Sequence, residues 1–249
     1  MDQIKKRHRL SLRLQRFWAY LNLIWFGPCF ILLLRCLGSY SCPERDVVRR
    51  RLEHLLNAEQ GRPLLICANH LTMIDSMLLT WLLFDFKTLL LHFHRFPWNV
   101  PELQNFGGNI LLRIMCYLGK CVYIERQGSA EARRLSWQKV SYLNAIGETL
   151  CIFPEGGRSR TGRLARENTV YGVGQLIQDN PRTLVLGVYL RGFEQKNYSF
   201  FPRRGERFFL DFRTCESPIQ GGRRGQRDLT LHIMDQLEAM ERDYLATRQ

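Results

Sequence analysis

Leu64-Leu65-Ile66-Cys67-Ala68-Asn69-His70-Leu71-Thr72-Met73-Ile74-Asp75 passes from an apolar run into a polar turn within 12 residues. The run Leu64 to Cys67 is bounded by Pro63 and Asn69 and has the length and character of a buried strand. An apolar stretch from Ser76 to Phe84 follows and reads as a helix. Working outward, a charged helix is predicted from Asp46 to about Asn57, and an amphipathic one from Pro101 to about Leu118. Val122-Tyr123-Ile124, Leu150 to Phe153, Leu184 to Leu190 and Phe208 to Phe212 read as further strands. Helices are expected over Ser129 to Ile146, closed by Gly147, and over residues 227–247, with Leu231, Met234, Leu237, Met240 and Leu245 on one face. Strands alternating with helices predict an α/β layered domain, a mixed central sheet flanked by helices.

The 249 residues suffice for a substantial core, and 45% hydrophobic content excludes a disordered chain. A net charge of +13 favours an anionic partner, nucleic acid or a membrane surface. Nucleic acid is disfavoured, because no paired zinc ligands and no aromatic RNA-binding strand pattern occur. The eight cysteines show no C-x-x-C pair and no metal-ligand spacing, so they read as reduced thiols, several of them inside apolar runs.

The N-terminus supports the membrane side of that choice. Lys5, Lys6, Arg7, Arg9, Arg13 and Arg16 face a single acid, Asp2, and Phe17 to Leu34 then runs 18 residues without a charge. That barely reaches the roughly 17–25 residues of a spanning helix. Pro28 lacks a backbone donor and is expected to break or kink the segment. Four readings stand: a signal peptide with a poor cleavage site, a kinked single span, a helix–break–helix dipping into one leaflet, and a buried helix pair. The one-leaflet insertion is preferred, with Trp18, Tyr20 and Trp25 near the headgroups. Residues 1–42 are thus expected to form a membrane-docking segment and residues 43–249 the catalytic domain. His92 to Trp98 reads as a loop on the membrane surface or in the core.

Three short blocks carry candidate chemistry. In the first, His70 and Asp75 are five positions apart, about 140° on a regular helix, so they face each other only across a strand-to-helix turn. Asp75 would then hold one imidazole nitrogen and leave the other as a base. A His beside an Asp is by itself more often structural. In the second, Phe153-Pro154-Glu155-Gly156-Gly157-Arg158-Ser159-Arg160 follows a strand, and its glycines and arginines suit a phosphate cradle or an ordinary basic turn. In the third, Gly119 to Arg126 (GKCVYIER) ends on a cation that can reach the same sheet edge.

Taken in order, these blocks resemble the glycerolipid acyltransferase family, whose best-known bacterial members are the 1-acylglycerol-3-phosphate acyltransferases. The family pattern is NHxxxxD, G-x-x-F-I-x-R, F-P-E-G-T-R-S and a late V-P-V-type strand. The resemblance spans roughly residues 64–192. Three departures stand out: Lys120 occupies the expected Gly place in the second block, Gly157 replaces Thr, and Leu186-Gly187-Val188 lacks the Pro.

The resemblance implies transfer of an acyl group from an acyl-CoA or acyl-ACP thioester to a lysolipid hydroxyl, with 1-acylglycerol-3-phosphate as the default acceptor. It implies His70 and Asp75 as the catalytic pair. Asn69, Arg126, Glu155, Gly156, Gly157 and Arg158 would contact the substrate, Glu155 by organising the turn or pairing with an arginine. No cofactor and no metal are expected. The expected partners are anionic lipid, the thioester donor (on coenzyme A or acyl carrier protein) and the lysolipid acceptor. The expected place is the cytoplasmic face of a membrane, the bacterial inner membrane by analogy. Another acceptor, such as a lyso-ornithine lipid, and a non-catalytic lipid-binding role are the alternatives.

Overall fold

The computed structural model describes residues 4–216 and 221–247. Asp2, the single acid of the docking segment, lies outside the described residues.

Helix α1 (Lys6–Leu32) widens into a π-turn at Leu33–Leu37. Then come α2 (Arg45–Ala58), β1 (Leu64–Ala68), α3 (Asp75–Leu83), α4 (Phe86–Leu91), a 3-10 turn (Phe93–Arg95) and β2 (Trp98–Asn99). Next are α5 (Leu103–Phe106), α6 (Ile110–Leu118), α7 (Ala130–Ala145) and β3 (Leu150–Ile152). The chain ends through α8 (Gly172–Asp179), β4 (Leu184–Gly192), β5 (Phe208–Thr214) and α9 (Gly222–Ala246).

The five strands form one mixed sheet in the order β2-β3-β1-β4-β5. β1 pairs in parallel with β3 and β4, β2 pairs in parallel with β3, and β5 closes the edge antiparallel to β4. Every residue of β1 and β4 is buried, as strands covered on both faces must be. Side chains alternate along β1. Leu64, Ile66 and Ala68 face a core shared with α1, α2, α3 and α4, while Leu65 and Cys67 face one built with α7, α8 and α9. The result is a helix–sheet–helix sandwich whose central strands end at the polar turns.

Several expectations require correction. Pro28 does not break the N-terminal helix, which runs continuously through it from Lys6 to Leu32. Leu23 and Leu34, on either side of the proline, are both buried, so packing holds both halves while one backbone bond is forfeited. Val122-Tyr123-Ile124 forms no strand of its own. Cys121 and Ile124 make single bridges to Asn99 and Glu102, extending the line of β2. The run His92 to Trp98 is likewise more than a loop, since Trp98 is fully buried in β2 and Phe93 sits in the core. The amphipathic stretch after Pro101 divides into α5 and α6, and Gly147 takes a left-handed backbone (φ +85°) after α7.

α1 is attached to the body along its length. The Gln15 amide donates to the carbonyls of Cys121 (2.8 Å) and Tyr117 (3.2 Å), and Ala19 and Leu23 enter the core. Arg16 pairs with Glu148 at 2.7 Å. Glu148 also pairs with the fully buried Lys120 (2.7 Å) and accepts from the Trp98 indole (2.8 Å). Lys120 further donates to the Phe96 carbonyl (2.6 Å) and lies over the rings of Phe93, Phe96 and Trp98. Its backbone is left-handed (φ 54°), a conformation in which a glycine is unstrained. Burial lowers its pKa to about 8, against the opposing pull of Glu148. Arg16 is therefore tied to the body, while Trp18, Trp25, Phe26, Leu32 and Leu37 along the rest of the helix are all exposed. By length and composition, Lys6–Leu37 can span or dock on a membrane.

Lys120→Met should cost about 3 kcal/mol, because it leaves a buried carboxylate one cation short. Chemical unfolding in detergent at neutral pH checks this. An unchanged midpoint would mean that Arg16 and Trp98 satisfy Glu148 alone.

Candidate active site

β1, β3 and β2 run parallel; the first two blocks follow the carboxyl ends of β1 and β3, and the third, Gly119 to Arg126, runs beside β2 through bridges at Asn99 and Glu102 towards the same edge. At the end of β1 the Asn69 amide is exchanged with the backbone of Leu190 on β4, donating to its carbonyl (2.9 Å) and accepting from its N–H (2.8 Å). Asn69 is buried, and its side chain continues the sheet pairing beyond the last regular residue of β1. It therefore positions the turn.

The turn that follows closes on Asp75, the first residue of α3. One oxygen, Oδ2, accepts from the N–H of Leu71 (2.6 Å), the N–H of Thr72 (2.7 Å) and His70 Nδ1 (2.9 Å). The other accepts from the Thr72 hydroxyl. A carboxylate at a helix start gains from the free amides there. Here it also fixes the imidazole, because Nδ1 must carry the proton it donates to Asp75, leaving Nε2 as the basic nitrogen. The His70 ring stacks on Phe153 at 4.0 Å between centroids, and 14% of the side chain remains exposed.

Glu155 locks the two neighbouring turns together. Its carboxylate accepts from His70 N–H (2.7 Å) and Ala165 N–H (2.9 Å), and it is 2% exposed. Burial raises its pKa to about 7, opposed by the two N–H donors and reinforced by the nearby Glu241 and Asp75. Both oxygens are engaged with backbone, so Glu155 organises the turn and does not itself reach out to bind substrate. A return bond from Ser159 N–H to the His70 carbonyl (3.0 Å) completes the link.

Gly156 has φ +73°, and a Cβ there would lie 2.2 Å from the Asn168 carbonyl oxygen, so no other residue fits. Gly157 is exposed with nothing within 4 Å of a Cβ, so the hydroxyl-bearing side chain typical of the family's pattern has room but is absent. Arg126 donates to the Gly156 carbonyl (2.9 Å) and pairs with Glu102 (2.9 Å), which also accepts from the Arg126 N–H. Arg158 lies over the Tyr198 ring at 5.9 Å, and its Nε is buried without a hydrogen-bond partner.

The fold thus gathers His70, Asp75, Asn69, Glu155, Gly156, Gly157, Arg158 and Arg126 at one edge, linked by direct bonds from Asn69 through to Arg126. Sequence reasoning missed Glu102, the partner of Arg126, and the roles of Thr72 and Phe153 as supports of Asp75 and His70. Thr72 lies three residues before an acid at a helix start, a local signal that was available. Glu102 offered none. Among the described residues no cluster of His, Cys, Asp or Glu is arranged to hold a metal ion.

The family model described as Acyltransferase matches residues 49–189, from α2 through most of β4. The chain belongs to the glycerolipid acyltransferase family. A search of curated proteins finds no match. The acyltransferase match covers all three blocks of the site. It makes the chain an O-acyltransferase by family, acting on a glycerolipid-type acceptor.

Gly156→Ala should disrupt the turn and lower activity by an order of magnitude or more, since its cost combines a steric clash with a forbidden backbone. Gly157→Ala should leave both stability and activity near those of the parent. Equal effects from the two substitutions, compared by thermal unfolding and acyl transfer, would contradict this account of the turn.

Proposed function

We propose that this acyltransferase moves a fatty acyl chain from an acyl thioester, carried on coenzyme A or acyl carrier protein, to the free hydroxyl of a phosphate-bearing lysolipid. The leading acceptor is 1-acylglycerol-3-phosphate. The observation that carries the reading is a His70 held at Nδ1 by Asp75, with Nε2 left as the base, on a turn bonded through Ser159 N–H to the one that carries the half-buried Arg158.

The chemistry follows from these groups. The acceptor hydroxyl oxygen attacks the thioester carbonyl carbon while its proton passes to His70 Nε2. Asp75 stabilises the imidazolium that forms, without taking the proton itself. Collapse of the tetrahedral intermediate breaks the carbon–sulfur bond, and the departing thiolate regains the proton from His70. Ester and free thiol result, and no acyl-enzyme is required. Arg158 supplies a charge-assisted donor for a phosphate oxygen through the terminal nitrogens of its guanidinium. Arg126, already paired with Glu102, braces the glycine turn and adds positive potential at the same edge.

A lysolipid panel with labelled acyl donors tests the acceptor. Arg158→Gln should raise KM for lysophosphatidic acid about tenfold or more, the worth of a charged hydrogen bond, with a smaller effect on acceptors lacking phosphate. Transfer to a lyso-aminolipid in preference to any phosphate-bearing acceptor would overturn the assignment.

A further inference from the structure

Phe200 and Phe201 stand side by side between β4 and β5, and both are about 60% exposed (62% and 59%). Two adjacent exposed phenylalanines leave much of their apolar surface in water, which burial in an apolar medium would remove. Their loop is well held. Met73 N–H donates to the Phe200 carbonyl (3.2 Å), Ser199 N–H donates to the Leu71 carbonyl (3.4 Å), and Thr72 and Ser199 form a bridge. The loop is thus backed directly on the His70–Asp75 turn. On its other flank the Tyr40 hydroxyl donates to the Pro202 carbonyl (2.9 Å), and Gly205 N–H donates to the Gly38 carbonyl (2.7 Å). These bonds join it to the end of the apolar N-terminal helix, where Leu32, Leu33 and Leu37 are exposed.

The charge around the two rings is one-sided. Residues 195–205 contain Lys196, Arg203 and Arg204, all exposed, and no acid; of the flanking acids Glu206 is buried and Glu194 is exposed at the β4 end of the loop. Aromatic rings flanked by cations, continuous with an apolar helix, match the headgroup region of an anionic leaflet.

We propose that the Phe200–Phe201 loop is a second membrane-inserting element, seated in an anionic leaflet beside the N-terminal helix, and that it brings the His70 turn to the lipid surface. The inference rests on the reading that this helix docks on a membrane. Each surface alone gives only partial restraint, because a single helix can roll about its long axis. A second contact off that axis removes the roll and sets which edge of the sheet faces the lipid.

An environment-sensitive dye reads this directly. In a chain carrying Cys29→Ser and Cys36→Ser, the dye is placed through Phe201→Cys or, at the opposite end of the sheet, through Gln60→Cys. The same chain without either added cysteine supplies the background. With vesicles of phosphatidylcholine and phosphatidylglycerol, the dye at position 201 should shift to the blue and be quenched by brominated lipid, while the dye at position 60 should be unchanged. A dye at 201 that still reports water on vesicle-bound protein overturns the proposal, as does an equal shift at both positions or an absence of vesicle binding. The readout needs no catalysis, so its failure is separate from failure of the proposed reaction. As a second measurement, Phe200→Ser with Phe201→Ser should reduce transfer to vesicle-borne acceptor about tenfold or more while leaving transfer in detergent unchanged. Equal transfer on vesicles by parent and variant would also overturn it.

Discussion

The Asp75 carboxylate is the point on which the site depends. It is buried at the first residue of α3, and its oxygens receive two backbone N–H groups, one hydroxyl and one imidazole nitrogen. Unpaired, such a group would cost several kcal/mol to bury. Paired as it is, it folds residues 70–75 into a single conformation and aims the imidazole in the same step. The turn can close only because β1 ends at a fixed height, and the Asn69–Leu190 exchange sets that height by stitching the strand end to β4. Structure and proposed catalysis draw on the same bonds here.

A second buried carboxylate does comparable work for the N-terminal helix. Glu148 collects Arg16, Lys120 and Trp98, and so joins the helix to β2 and to the strand-like segment leading to Arg126. The departure at Lys120 from the family pattern thus has a physical account. A lysine takes up the left-handed backbone that glycine adopts freely, at some strain, and its ammonium is recovered by a carboxylate, two carbonyls and three rings. These bonds, with Ala19 and Leu23 in the core, tie the helix to the catalytic body, so a lipid surface that captured it would hold the site nearby.

Much of this was legible in the chain, for reasons that differ by element. β1, β3 and β4 showed themselves as apolar runs because central strands are covered on both faces, β5 at the edge showed alternating burial, and His70, Asp75 and the glycine turn lie immediately after β1 and β3. β2 did not, since two residues carry no periodicity and the pairing of Trp98 with Leu150 is a tertiary event. Val122 to Ile124 misled in the opposite sense: three β-forming residues with only isolated bridges available to them. At Pro28 a local rule was overridden by the burial of Leu23 and Leu34. Asn69 and Glu155 were legible as site residues, and Glu155 as an organiser of its turn, but only the fold shows that their polar atoms are spent on Leu190, His70 and Ala165. Glu102 and the unpartnered Nε of Arg158 depend wholly on contacts between segments distant in sequence.

The most direct test of the central claim is acyl transfer from a labelled thioester to lysophosphatidic acid by purified protein in detergent, parent beside His70→Ala. The account predicts ester product from the parent and a loss of rate on the order of 10²–10⁴ in the variant, whose thermal unfolding stays close to the parent's. Parent-level transfer by a folded His70→Ala protein would contradict it.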